Sequence, residues 1–241
     1  MTPATTRRLA ATTMAGAATL AIAGFTALVS IFEYPQILKK PTADILALYR
    51  DHQSAVSGWF LVLAVSAALL APAGVLLGRI AGGAPGRWIA GIGVAAAVVQ
   101  VVGLSRWFLI VPGISDDATD PTRAGAAFDR FETVHFWLGR MLGETVGYAL
   151  TATFTLLVVL HVTRALAPRW MTVLGLISAG LIATGVLIPL GVAAASMTNF
   201  AGYVAWCLWL IAMAVVLWRS SSRVDVRSRP GTVTIDGSVH A

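Results

Sequence analysis

The chain reads as all-α: a polytopic membrane bundle of six transmembrane helices with both termini in the cytoplasm. Three observations carry that reading. First, 57% of its 241 residues are hydrophobic and only 12% are charged, where an average soluble domain is about a quarter charged. The mean hydropathy of +0.80 agrees. A soluble protein of this length must cover its surface with polar groups, and lipid removes that demand. Second, the chain contains six apolar runs, each close to the roughly 20 residues that cross about 30 Å of hydrocarbon. Third, the basic residues segregate to alternate loops, as the positive-inside rule requires.

The runs are Leu9–Ile31, Ala55–Gly78, Trp88–Pro112, His135–Leu160, Met171–Ala193 and Phe200–Trp218. They are rich in Ala, Gly, Val and Leu, which suits close helix packing in lipid. The first follows Arg7 and Arg8, and Thr6-Arg7-Arg8 is weakly similar to a twin-arginine signal. Its apolar stretch outruns the roughly 7–15 residues of a signal core, so it is expected to remain as an uncleaved span.

Between the runs, one set of loops carries Arg7, Arg8, Arg79, Arg87, Arg164, Arg169, Arg219, Arg223, Arg227 and Arg229 against only Asp225 and Asp236. The other carries Lys39, Lys40, Arg50, Arg123 and Arg130 against eight acids: Glu33, Asp44, Asp51, Asp116, Asp117, Asp120, Asp129 and Glu132. The first set is expected in the cytoplasm and the second outside. Trp88, Trp170 and Trp218 each adjoin an arginine at the expected cytoplasmic boundary, where the indole prefers to sit. The net charge of +6 is therefore accounted for by topology and does not imply nucleic acid.

The organisation is one membrane domain, 1–219, and a polar tail, 220–241, expected to be disordered. In the outward loop Glu33–Ser54, Thr42 reads as an N-cap, followed by a short amphipathic helix with Ile45, Leu46, Leu48 and Tyr49. The loop Gly113–Val134 opens polar and reads helical from Thr122 into the fourth span. The connection between the fifth and sixth spans is short enough to force a tight hairpin. A faint internal echo aligns Arg87-Trp88 through Gly103 with Arg169-Trp170 through Gly185.

Three charges interrupt the apolar runs: Arg106 in the third span, and Arg140 and Glu144 in the fourth. Such residues are costly and tend to face a partner or a cavity. Arg106 lies 18 residues beyond Trp88, about 27 Å at 1.5 Å per residue. Glu144 is nine residues into its run from the outer end, about 14 Å deep. All three charges thus belong to the outer half of the bilayer.

On an α-helix Arg140 and Glu144 share a face, with Phe136 and Tyr148 extending the row. Gly139, Gly143 and Gly147 form the adjacent row, a small-xxx-small strip that lets another backbone approach closely. Two readings remain open. In one, Arg140 and Glu144 neutralise each other and Arg106 snorkels to the outer headgroups. In the other, Arg106, Arg140 and Glu144 line an outward-facing polar pocket, with Tyr148 beside them. Two arginines to one carboxylate would suit an anionic headgroup or carboxylate. Gln100, deeper in the third span, either extends that pocket or makes an interhelical hydrogen bond.

Other motifs carry less. Cys207 lies inside the last run and reads as a packing residue. Of the four histidines, His52 and His135 share a depth on different helices, as two axial haem ligands would; interfacial hydrogen bonding is the expected role. Asp116-Asp117-Ala118-Thr119-Asp120 spells DDxxD, a pattern that holds Mg²⁺-diphosphate in prenyl-transferring enzymes, but in an outward loop before Pro121 it reads as a solvated acidic turn. Gly82, Gly83 and Gly86 join two spans and form no nucleotide loop. No metal or cofactor is expected, and no Gly-x-Ser-x-Gly, HExxH or Walker pattern occurs.

Four stretches carry a family resemblance: Phe32-Glu33-Tyr34-Pro35-Gln36-Ile37-Leu38, Arg106-Trp107-Phe108-Leu109-Ile110-Val111-Pro112, Gly139 through Gly147, and Pro168-Arg169-Trp170-Met171-Thr172-Val173-Leu174-Gly175. In their order and spacing the chain resembles the bacterial multi-span membrane proteins filed as domain of unknown function 4386, common in actinobacteria. The resemblance implies a helical membrane fold and carries over no activity. It does overlap Arg106, Arg140 and Glu144.

The expectation is a protein of the bacterial cytoplasmic membrane that binds or moves a small amphipathic or anionic molecule. The alternatives are an intramembrane enzyme acting on a lipid or isoprenoid, with Glu144 as acid/base, and a structural or signalling partner of another membrane protein, docked through the glycine strip. A homo-oligomer is compatible with each.

Overall fold

The computed structural model describes residues 1–192 and 194–227, with side chains as far as Ser222. Its long elements are α1 (Pro3–Phe32), α3 (Gln53–Ala81), α4 (Gly83–Asp117), α5 (Ala124–Leu166), α6 (Arg169–Leu190) and α7 (Ala195–Arg227). A 3-10 turn (Gln36–Lys39) and the short helix α2 (Thr42–Asp51) connect α1 to α3. Among the described residues there is no strand. All six long helices are apolar enough to cross a membrane, so the all-α, six-span fold is as expected.

Every long helix but α6 outruns the apolar stretch that announced it; α6 stops at Leu190, short of the expected Ala193. Helical hydrogen bonds are internal to the segment, so the helix continues past the hydrocarbon until a cap or a proline stops it. Prolines account for the irregularities. Pro72 has no N–H to give the Ala68 carbonyl, and α3 turns at Leu69. Pro112 leaves the Phe108 carbonyl unserved, and Ile110 bends to φ −114° there. Pro189 sits in the 3-10 segment Thr184–Leu190 that ends α6.

The six spans close into a ring. Each packs against its neighbour in the chain, and α7 packs back on α1. Basic residues gather at the closing end: Arg7 Nη1 donates to the Ser220 carbonyl at 3.5 Å, Arg8 Nε to Ser221 Oγ at 3.2 Å, and Arg79 Nη1 reaches Met1 Sδ at 3.4 Å. The ring has two apolar cores. The larger is built from Met14, Leu77, Ile89, Phe154, Trp209 and Met213 toward the arginine-rich end.

The second core lies at the opposite end, under the cap made by the 3-10 turn and α2. Trp107 is its centre: it stacks on Phe60 at 4.8 Å and meets Phe32 edge-on at 5.2 Å. Tyr49 ties α2 down by donating to the Trp107 carbonyl at 2.8 Å and pairing with Ser57 at 2.6 Å. Burial raises the Tyr49 phenol above its ordinary value, the Ser57 hydrogen bond opposing.

Three loop expectations resolve. Thr42 is not the cap of α2: Pro41 occupies that position, and the Thr42 hydroxyl instead donates to Glu132 at 3.0 Å, fastening α2 to α5. The segment after Pro121 is helical from Ala124 and runs into α5. The α6–α7 connection is a tight turn with Gly191 at φ 79°, a value that favours glycine. As for the expected tail, α7 continues to Arg227, and residues 228–241 lie outside the described residues.

Candidate functional site

The site grows from the crossing of α4 and α5. Gly143 meets Gly103 backbone to backbone: a Cβ added at Gly103 would come within 2.7 Å of Gly143 Cα. On either side, Gly147 faces Gln100, and Gly139 faces the Arg106 guanidinium. The strip Gly139, Gly143, Gly147 is thus covered by α4 within the chain. Tight glycine crossings of this kind substitute for the hydrophobic drive that lipid cannot supply. The sequence reading passed over a second one, Gly74 and Gly78 of α3 against Gly93 and Gly86 of α4, although Gly74-xxx-Gly78 carries the same signal.

α5 is not α-helical where it passes this crossing. From His135 to Val146 it is a π-helix, whose hydrogen bonds run five residues apart and which is frequent at functional sites. The Thr145 hydroxyl donates five residues back, to the Arg140 carbonyl, at 2.9 Å. Residues four apart still lie near one face of such a helix, but a shared face does not make an ion pair here. Arg140 is exposed and Glu144 half-buried, and no ion pair joins them among the described residues. The expected direct pairing of Arg140 with Glu144 is therefore corrected: Arg140 turns to the outside while Glu144 stays half-buried.

Arg106 is corrected too. It does not extend to the surface: it is 4% exposed. One guanidinium nitrogen donates to the Gly103 carbonyl, and the group lies 5.2 Å over the Trp107 ring. Its Nε has no partner. His135, 7% exposed, stacks on Phe131 at 5.7 Å, and both its ring nitrogens are without partners. Unpaired buried polar atoms are expensive, and each one calls for a reason such as an absent ligand or water. Arg106→Met is therefore expected to raise the Tm of the purified protein. A fall of several degrees in a thermal unfolding scan would make Arg106 a structural residue.

Two further candidates approach Arg106. Tyr34, which follows α1, lies close enough to Glu144 and Arg106 to feel both charges; burial first, and then the Glu144 carboxylate, push its phenol up to about 12. Tyr148 feels the same two charges. Glu144, Tyr34 and Tyr148 accept or donate no side-chain hydrogen bond among the described residues. Gln100 does make the interhelical bond, donating to Thr151 Oγ1 at 2.6 Å and reaching the Tyr203 hydroxyl at 3.5 Å, with Tyr203 in ring contact with Tyr148 at 5.7 Å.

The structure thus brings Arg106, Glu144, Tyr148 and Gln100 to one region and leaves Arg140 at its margin. The sequence reading did not include Tyr34, Thr151, Tyr203 or the role of His135. Tyr34 was signalled only by the stretch Phe32–Leu38; the others are ordinary residues until the fold juxtaposes them.

An open cleft of about 260 Å³ lies on the same two helices, lined by Ile110 and Ile114 of α4 and by Asp129, Arg130, Thr133 and Val134 of α5. The expected polar pocket is not this cleft, whose walls are largely aliphatic. His52 is exposed while His135 is buried against Phe131, so the two do not face a common ligand. Within DDxxD, Asp117 is paired with Arg123 at 2.8 Å and Arg130 at 3.0 Å. Asp120 takes Thr122 and Arg123, whose hydrogen bonds, Thr122's first, hold its carboxyl below the ordinary range. Cys207 is buried in the larger core.

Compared with known proteins, the chain matches the family described as Domain of unknown function (DUF4386) over residues 9–214. No curated protein and no solved structure matches it.

Proposed function

The chain belongs to the domain of unknown function (DUF4386) family, and we propose that this multi-pass membrane protein binds a small anionic or amphipathic molecule at Arg106, between α4 and α5. One observation carries the reading. A nearly fully buried guanidinium, facing no carboxylate within ion-pair distance among the described residues, sits beside an imidazole whose two nitrogens are both unpaired. A purely structural arginine at this depth would be matched by acceptors. An anion supplies them, and the Tyr34 and Tyr148 hydroxyls stand near as further donors. The charge segregation along the loops supports a location in the bacterial cytoplasmic membrane, with the arginine-rich end inside and the capped site facing out.

The test is native mass spectrometry of the full chain, wild type beside Arg106→Gln, with the co-purified small molecules identified. The expected result is a discrete bound species present in the wild type and lost in the variant. If both carry only bulk lipid, the site reading fails.

A further inference from the structure

We infer that the site takes its anion together with one proton, which Glu144 accepts as the anion becomes the counter-charge of Arg106; this rests on the reading of Arg106 as a binding residue. Arg106 and His135 meet at Gly139, where an added Cβ would come within 2.9 Å of Arg106 Nη2 and 3.2 Å of His135 Nδ1. Glu144 lies five residues beyond Gly139, one hydrogen-bond span of the π-helix. Among the described residues it is the one carboxylate whose charge acts on Arg106, and no ion pair joins the two. Empty, the site therefore holds one guanidinium and one carboxylate. An anion added beside an ionised Glu144 would set two negative charges against one buried cation. Like charges crowded away from water favour the neutral form of one of them. A proton from the surrounding solution, bound by the Glu144 carboxylate, restores the balance.

The other titratable groups around Glu144 do not supply that charge. Arg140, on the same helix, acts on Glu144 but is exposed, so its charge is met outside the bundle. Tyr34, after α1, and Tyr148, on α5, are phenols and carry no charge near neutrality. Tyr203 of α7 adjoins Tyr148 and is likewise a phenol. The part of α6 packed here, Thr184–Leu190, contains no titratable residue. Asp129, Arg130 and Glu132, near the start of α5, are exposed. His135 already faces both Arg106 and Arg140, which disfavours a third positive charge on its ring. As a neutral imidazole it still gives the anion one N–H donor. Glu144 is thus the group left to take the proton.

The experiment uses the full-length protein in phosphatidylcholine nanodiscs, with hexyl sulfate as the probe because its single negative charge does not titrate near neutrality. Titration calorimetry in two buffers of different ionisation enthalpy counts the protons taken up on binding. Uptake of about one proton per anion is expected near pH 7, with affinity falling by up to about ten-fold per pH unit as the pH rises. Glu144→Gln, neutral at every pH, is expected to bind hexyl sulfate without proton uptake and with equal affinity at about pH 6 and about pH 8. At the higher pH it is expected to bind at least ten-fold more tightly than wild type. The co-purified species in the native mass spectrum is expected to be retained by wild type at the lower pH and lost at the higher, and retained by Glu144→Gln at both. Hexyl sulfate binding without proton uptake, uptake that persists in Glu144→Gln, or equal retention of the species by wild type at both pH values overturns the inference and leaves the binding site standing. If Arg106→Gln loses no species and hexyl sulfate does not bind, both fall.

Discussion

Trp107→Ala is expected to destabilise the protein by about 3–5 kcal/mol, the range for emptying a large buried aromatic site. The indole is completely buried and touches Phe32, Phe60, Tyr49 and Phe131 at 4.8–6.0 Å between ring centres. Those rings come from α1, α2, α3 and α5, so the cavity would loosen every element of the cap at once. The Tyr49 hydroxyl bonds the carbonyl of residue 107, which the substitution preserves; the loss therefore reads the ring's packing together with the Arg106 contact on its face. Reversible unfolding in mild detergent measures it. A change under about 1 kcal/mol, the size of an ordinary surface effect, would mean that the cap does not rest on this ring.

Gly103→Leu is the second large effect. A Cβ here meets the Cα of Gly143 at 2.7 Å and the Leu138 carbonyl oxygen at 3.1 Å. These are backbone atoms and cannot rotate away, so α4 and α5 must separate. Overpacking a tight core costs about 1–3 kcal/mol and occasionally more, and a backbone crossing belongs at the upper end. The expected outcome is a protein that fails to run as a single species in size-exclusion chromatography. Gly91→Leu, on the exposed side of the same helix with nothing within 4 Å of the added Cβ, serves as the control and is expected within about 0.5 kcal/mol of wild type. If the two variants behave alike, the crossing is not what holds these helices together.

The contrast between those two glycines shows what the sequence could tell. Six spans, their order and the tight α6–α7 turn were legible because hydropathy over about 20 residues is a strong, local signal. Gly139, Gly143 and Gly147 were legible as a strip for the same kind of reason, a fixed spacing. What was hidden depended on departures from regular geometry or on contacts remote in sequence. Counting 3.6 residues per turn put Arg140 and Glu144 on one face, but a shared face did not make an ion pair, and no residue in Gly139–Gly147 announces the π-helix. Depth alone placed Arg106 near the outer headgroups. It could not show that Arg106 would be buried against Trp107, the residue to which Tyr49 of α2 is bonded. Tyr34, just past the end of α1, was hidden in the same way, being remote in sequence from the charges it approaches.

The bond from Arg7 to the carbonyl of Ser220 has a consequence of its own. With the first and last spans packed as neighbours, the bundle is a closed cycle, and nothing in its packing marks where the chain begins. The covalent order is then one of several that serve the same set of helix contacts. Joining α7 to α1 through a linker and opening the chain at the exposed turn around Thr119–Pro121 would string the same six spans from a different start, leaving the α4–α5 crossing and the site beside it intact.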